Sequence, residues 1–228
     1  MFQGFPKEGL AFLAALKENN SKVWFDANRE RYDRLILRPN KAYVQEMGEH
    51  LQILVPTIRA IPKSNHSLFR IYRDARQHPS APIKERIGII FWQGAGHRMQ
   101  SSSFYMHYGV NELFVSTGIR KFKPPLLAIY REYIQNLAHR TALHEILLDL
   151  KEKGYRLPEP FYKRYPRGFS ANEPYAYLAR YNAIYAYVES QPDELFHSEA
   201  IIDRNFKIYE DMFPLHQWLY AMTCYGRA

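Results

Sequence analysis

Four basic side chains crowd one short stretch. Arg70, Arg73, Arg76 and Lys84 lie within LFRIYRDARQHPSAPIK, residues 68–84, with Asp74 as the acid beside them. A guanidinium is a planar fork that pairs with both oxygens of a carboxylate or phosphate, so several converging on one point form an anion site. LFRIYR alternates with period two, which predicts a strand carrying Leu68, Arg70 and Tyr72 on one face and Phe69, Ile71 and Arg73 on the other. On that alternation Arg70 and Arg73 point apart. Arg73, Arg76 and Lys84 converge only if Asp74 opens a turn, and the plainer alternative is that Asp74 and one arginine form an ion pair that holds that turn. Pro79 and Pro82 then keep the connection extended and irregular.

A second set lies about twenty residues further on. Tyr105 and His107 share one face of an alternating segment, and Glu112 follows just past its end. A histidine beside a tyrosine can transfer protons, which makes His107, Tyr105 and Asp74 the catalytic candidates if there is a reaction. No H-E-x-x-H or H-x-H pair occurs, His139 and His144 are five apart, and Cys224 is the one cysteine. Neither a zinc site of paired cysteines nor an internal disulfide can form, and no metal or cofactor is expected. There is no G-x-S-x-G, and Gly94-Ala95-Gly96-His97-Arg98 lacks the G-K-[ST] ending of a phosphate loop. Two more basic groups stand out: Lys163, Arg164 and Arg167 among Tyr162, Tyr165 and Phe169, and Arg120, Lys121 and Lys123. Bases interleaved with aromatics can grip a nucleic-acid backbone while stacking bases, yet no helix-turn-helix, zinc-finger or RNA-binding motif accompanies them.

The elements that must position these residues come in three blocks. Apolar spacing predicts helices over Pro6–Asn19, Lys22–Leu37 with Asn20 or Ser21 as its cap, and Pro39–Val55. The period then changes to two, predicting strands at Leu68–Arg73, Ile87–Trp92 (apolar and central), Ser102–Val110, Leu113–Thr117 and Ile184–Val188. Helices return over Pro124–Leu137, Thr141–Lys153 and Asp193–Tyr225, the last interrupted at Pro214, with a short helix at Tyr175–Tyr181. The reading is a single α+β domain over residues 1–228, an antiparallel sheet of about five strands flanked by N-terminal and C-terminal helices.

Composition bounds the class. With 46% apolar and 15% aromatic residues in 228, the chain folds around a real core. The net charge of +8 is uneven: residues 1–188 carry 28 bases against 16 acids, whereas 189–211 carry seven acids against two bases. A basic surface for anionic partners and a separate acidic helical region follow. One cysteine, no basic leader before the first apolar run and no apolar stretch near the length of a span point to a cytoplasmic protein without a membrane partner.

The order of motifs resembles a family of conserved bacterial and fungal proteins of unassigned function, domain of unknown function 2461. It runs F-x-G-F (Phe2–Phe5), F-L-x-x-L (Phe12–Leu16), N-N-x-x-x-W-F (Asn19–Phe25), Arg31-Tyr32, R-I-x-R-D-x-R (Arg70–Arg76), P-x-K (Pro82–Lys84), Tyr105-Met106-His107 and K-R-x-P-x-G-F (Lys163–Phe169). Gln77-His78, Ser80-Ala81 and Ile83 depart from the Phe-Ser, Asp-Lys and Tyr of relatives. The resemblance implies no activity. The residues themselves support a protein that binds an anionic, phosphate- or carboxylate-bearing ligand through Arg70, Arg73, Arg76 and Lys84. The alternatives are an enzyme on such a substrate and an interaction module whose basic face meets nucleic acid or protein.

Overall fold

The computed structural model describes residues 1–74, 76–78 and 80–225. Pro79 and the last three residues of the expected domain lie outside the described residues. The elements run helices, sheet, helices, an α+β arrangement.

Helix α1 (Lys7–Glu18) buries Phe12, Leu13 and Leu16 and ends at Asn19, whose N–H reaches back to the Ala15 and Leu16 carbonyls. The helix expected over Lys22–Leu37 is instead three pieces: α2 (Lys22–Ala27), α3 (Arg29–Tyr32) and a π-helical turn, Asp33–Leu37. Asn28 makes the first break. Its side-chain amide joins its backbone N–H on the Trp24 carbonyl (2.9 and 3.1 Å), and its side-chain oxygen accepts from Arg31 (3.1 Å). The π turn leads into Pro39 in the first turn of α4 (Arg38–Leu54), where the missing proline N–H cannot serve the carbonyl four residues back. Of the two proposed caps, Ser21 is the one that accepts from Trp24 N–H (3.2 Å).

One antiparallel sheet has four strands in the order β1 (Ile87–Trp92), β2 (Ser103–Tyr108), β3 (Leu113–Ile119) and β4 (Ile184–Ser190). The missing fifth strand is Leu68–Arg73. That segment makes only isolated bridges: Leu68 pairs with Ser64 and antiparallel with Ile89, and Tyr72 pairs antiparallel with Ile83. From one antiparallel bridge to the next, four steps on one side face six on the other, so the register slips by two and no ladder forms. Leu68 and Ile71 are the buried residues, three apart rather than alternate. Strand β1, expected to be central, is therefore one of the two outer strands. Its outer edge is covered by this segment: Phe69 N–H donates to the Gly88 carbonyl (3.0 Å) and Ile90 N–H to the Ser67 carbonyl (2.8 Å). That cover explains why an outer strand is apolar throughout.

The later helices are α5 (Pro124–Tyr133), α6 (Leu137–Glu152), α7 (Ile201–Asp211) and α8 (Phe213–Cys224), with a 3-10 turn at Ala176–Arg180. Helix α6 starts earlier than expected because Asn136 caps it, accepting from Ala138 N–H (2.8 Å). Pro214 interrupts the last helical stretch as expected, sitting in the first turn of α8. Among the described residues no helix is long and apolar enough to cross a membrane.

The chain divides into two compact units, Met1–Phe91 with Tyr105–Val115 and Glu189–Ile208, and Trp92–Phe104 with Ser116–Val188 and Tyr209–Ala228. The first unit's core joins Phe12, Leu13, Leu16, Tyr43, Met47, Leu51, Ile89, Phe91 and Met106, all fully buried. Its aromatic knot ties the N-terminus down: Phe5 lies 4.9 Å from Phe2 and Tyr108 and 4.7 Å from Phe196. Asn40 donates to the Tyr108 hydroxyl inside it (2.6 Å). The second unit's core holds Phe104, Tyr130, Leu143, Leu178, Leu215 and Leu219.

Candidate functional site

All of the expected site residues belong to the first unit. The turn forms at Asp74, as the convergence argument requires. Its carbonyl accepts from the Gln77 and His78 N–H groups (3.0 Å each), and its carboxylate takes the Arg76 backbone N–H and Nε (3.1 Å each) and Nη2 (3.0 Å). The Arg76 side-chain and backbone hydrogen bonds hold the Asp74 carboxyl below its usual value, with Arg70 and His78 adding to the effect. The same pairing raises Arg76. This is the internal ion pair of the plainer reading. Its exposed guanidinium stands in water, where such pairs are weak.

The other three bases take separate directions. Arg73 is three-quarters covered: Nη1 donates to the Ala81 carbonyl (3.3 Å) and Nη2 stands 3.8 Å from Glu85. Lys84 donates to the Arg70 carbonyl (2.8 Å), with its ammonium 6.0 Å from the Phe69 ring. The Arg70 side chain is exposed. Tyr72, expected beside Arg70, turns to the helices instead, packing on Phe25 (5.6 Å) and accepting from Arg29 (3.3 Å). The slipped register explains the divergence, because period two no longer decides which side chains share a face.

Asn20 fixes the returning limb. Its side chain exchanges two hydrogen bonds with the Ile83 backbone (2.9 Å each) and donates to Glu85 (3.0 Å), standing in for a strand neighbour beside Lys84. No periodicity marks Asn20 for this task; its place in the N-N-x-x-x-W-F motif is the one signal the sequence offers.

Tyr105 and His107 do share a face of β2. The Phe69 edge meets Tyr105 at 5.8 Å and 89°, Tyr105 and His107 are 5.6 Å apart, and His107 stacks on Phe114 at 4.8 Å and 14°. Gly88 makes room: a Cβ there would come within 3.1 Å of both the Tyr105 hydroxyl and the Phe69 ring. His107 is 5% exposed, and its Nε2 lies 3.8 Å from one Glu112 oxygen. The other Glu112 oxygen faces Arg86 Nε at 3.4 Å. At 3.8 Å the His107–Glu112 contact is an ion pair only when the ring is protonated, not a hydrogen bond. Phe69, Arg86, Gly88 and Phe114 had no sequence signal of function; they enter through their contacts.

The other basic groups belong to the second unit. Their aromatics are already covered by the chain's own cations: Arg131 lies 4.9 Å over Tyr162, Arg180 5.7 Å over Tyr165 and Arg140 5.7 Å over Phe169. Arg120 lies 5.5 Å over Tyr185, and the Lys121 carbonyl and Lys123 N–H are both taken by Gln100. Rings engaged this way are poorly placed to stack bases. Among the described residues there is no group of three or more His, Cys, Asp or Glu side chains that could hold a metal ion.

Comparison with known proteins places the chain without supplying an activity. Neither the curated proteins nor the solved structures contain a match. Residues 8–218, by contrast, match the family described as conserved hypothetical protein, DUF2461. That match spans nearly the whole chain and takes in the turn, the β2 face and Asn20: the chain belongs to the DUF2461 family.

Proposed function

We propose that the first unit binds a small ligand bearing a phosphate or carboxylate beside the Asp74 turn. Lys84 and Arg70 supply positive potential, and Tyr105 and His107 supply hydrogen-bonding groups. The observation that supports this is one run of contacts. Lys84 reaches the Arg70 carbonyl on one side and the Phe69 ring on the other, and Phe69 leads to Tyr105 and His107. The basic segment and the polar face of β2, separate in sequence, are thereby neighbours. Arg73 and Arg76 serve the site at one remove, the first through Ala81 and Glu85 and the second by holding Asp74.

The test is a thermal-shift and calorimetric titration with inorganic phosphate, citrate and sugar phosphates at low and moderate salt. A ligand at a hundred times its dissociation constant adds about 2.7 kcal/mol of stability. Arg70→Gln with Lys84→Gln should remove the binding of whichever anion the wild type holds, with an unchanged circular dichroism spectrum. Undiminished binding in that double variant sinks the reading.

A second reading rests on the Glu112–His107 pair. A nearly buried imidazole with a carboxylate at 3.8 Å and a tyrosine on the same face can accept and return a proton, which is what an enzyme acting on an anionic substrate needs. Turnover of a phosphate or carboxylate ester that dies in both His107→Gln and Glu112→Gln would favour it. Turnover surviving His107→Gln would end it. The nucleic-acid reading predicts DNA and RNA binding that weakens steeply with salt, and salt-independent binding would exclude it.

A further inference from the structure

The second unit contains a cavity of about 520 Å³ that none of the expected site residues touches. Four tyrosines line it, Tyr155, Tyr177, Tyr181 and Tyr187. Three different elements bring them together: Tyr155 follows the end of α6, Tyr177 lies in the 3-10 turn with Tyr181 just after it, and Tyr187 is in β4. Their positions are held. The Tyr155 hydroxyl donates to Asp211 (2.7 Å), and the Tyr177 hydroxyl meets His144 Nδ1 (2.9 Å). Tyr187 exchanges both backbone hydrogen bonds with Arg156 (2.9 Å each), which binds the post-α6 strand of chain to β4 as one wall. Tyr177 and Tyr181, both lining the same space, meet edge to face at 6.3 Å and 65°.

Tyrosine presents a rigid flat apolar surface with a polar tip and orders few torsions on binding. Four of them around a space of ligand size select a planar aromatic guest. Charge then narrows the class. Lys151 and Arg156 line the cavity against one acid, Glu159. A surplus of positive charge works against an organic cation, the usual guest of an aromatic cage, and in favour of an anion. Burial and Glu159 push the Tyr181 phenol up to about 12, and burial with Asp211 raises Tyr155 further, so both remain neutral donors at physiological pH.

We infer that this tyrosine-lined cavity is a binding site for a planar aromatic ligand carrying a single anionic group, the ring against the tyrosines and the anion toward Lys151 and Arg156. It shares no residue with the anion site proposed in the first unit and does not depend on it.

The test is a panel titration of the full chain, followed by tyrosine fluorescence and ligand-observed magnetic resonance. The probes are adenosine 5′-monophosphate and indole-3-acetate as aromatic anions, with adenosine, ribose 5-phosphate and choline as partial mimics. At least one aromatic anion should bind better than any of the partial mimics. Tyr177→Leu should weaken it about tenfold through lost stacking. Lys151→Glu, on an exposed helix position that does not threaten folding, should weaken it several-fold. The Arg70→Gln, Lys84→Gln variant should bind it as the wild type does. The inference falls if neither aromatic anion binds, if ribose 5-phosphate or choline binds as well, or if Lys151→Glu has no effect. Loss of binding in the Arg70, Lys84 variant alone would assign the ligand to the first unit and also overturn it.

Discussion

Lowering the pH from 7 to 5 should cost this protein about 2 kcal/mol of stability through a single histidine. His216, on α8, is fully buried and stacks on Phe104 at 4.4 Å and 7°. Its Nε2 meets Gln93 Oε1 (3.0 Å), and its Nδ1 meets the Ser102 hydroxyl (3.0 Å), which also donates to the His216 carbonyl (2.9 Å). The single Ser102 hydrogen can serve the carbonyl or Nδ1 but not both, and both ring partners, Gln93 and Ser102, are uncharged. A second ring proton would therefore bring a charge into the core with no carboxylate among the ring's described hydrogen-bond partners to offset it. Burial accordingly lowers the ring from its usual value of 6.5 to about 3. The folded value lies below the unfolded one, so the stabilisation is fully present above 6.5. It is lost as pH falls, because the unfolded chain takes up a proton that the folded chain refuses. The loss is about 1.4 kcal/mol per pH unit once below 6.5, which gives about 2 at pH 5 and about 3 at pH 4. The Asp193 and Glu194 carboxyls, both held low through their Arg204 and Lys7 partners, lose their contributions only below the ordinary carboxylate range, near pH 4. In the window from 6.5 to 4.5 these two carboxyls therefore add little to the His216 slope. The assay is urea unfolding at half-unit pH steps for the wild type, His216→Gln and Gln93→Glu. His216→Gln should flatten the slope in that window. Gln93→Glu should make it shallower, by giving the imidazolium a carboxylate. Equal slopes in wild type and His216→Gln would refute the reasoning.

Other perturbations follow from the same geometry. Asn20→Ala removes the three hydrogen bonds that hold Ile83 and Glu85 and should cost about 1–3 kcal/mol in urea unfolding, with faster amide exchange at Ile83. Gly4 has φ +106°, and a Cβ there would overlap the His197 carbonyl, so Gly4→Ala should cost about 2 kcal/mol or more by differential scanning calorimetry. Glu173→Gln leaves the buried Arg140 guanidinium without its 3.1 Å carboxylate; chemical denaturation should show a loss of about 2 kcal/mol, discounted for the half-exposed Glu173.

Most of the frame was legible because burial acts through periodicity. The apolar spacing of Leu10 to Leu16 gave α1, Pro39 marked the start of α4 and Pro214 that of α8, since proline suits only a first turn. Two features escaped because the backbone departs locally from regular geometry without any change in side-chain periodicity. The second helix breaks at Asn28, whose side chain shares the Trp24 carbonyl with the backbone N–H. Two extra residues opposite Leu68–Tyr72 slipped the register, so a segment with strand alternation makes only isolated bridges. The candidate residues were easier to name than to assemble. Charge density exposed Arg70, Arg73, Arg76 and Lys84, and alternation paired Tyr105 with His107. That Phe69 and Lys84 link the two groups depends on a tertiary contact that no local spacing encodes. The tyrosine cavity is the extreme case, since its four rings come from segments that look like ordinary loop and strand.

The bridges at Leu68 and Arg156 have a consequence for association between molecules. An outer strand with vacant backbone groups invites another chain to dock and propagate, the route by which sheet proteins polymerise. Here Ser67 and Phe69 occupy part of the outer side of β1, and Arg156 does the same for β4 at Tyr187. Short irregular segments thus act as guards, each too brief and too slipped in register to template growth itself. Loosening either one would show first as fibrils or precipitate during expression and storage, well before any loss of helix content.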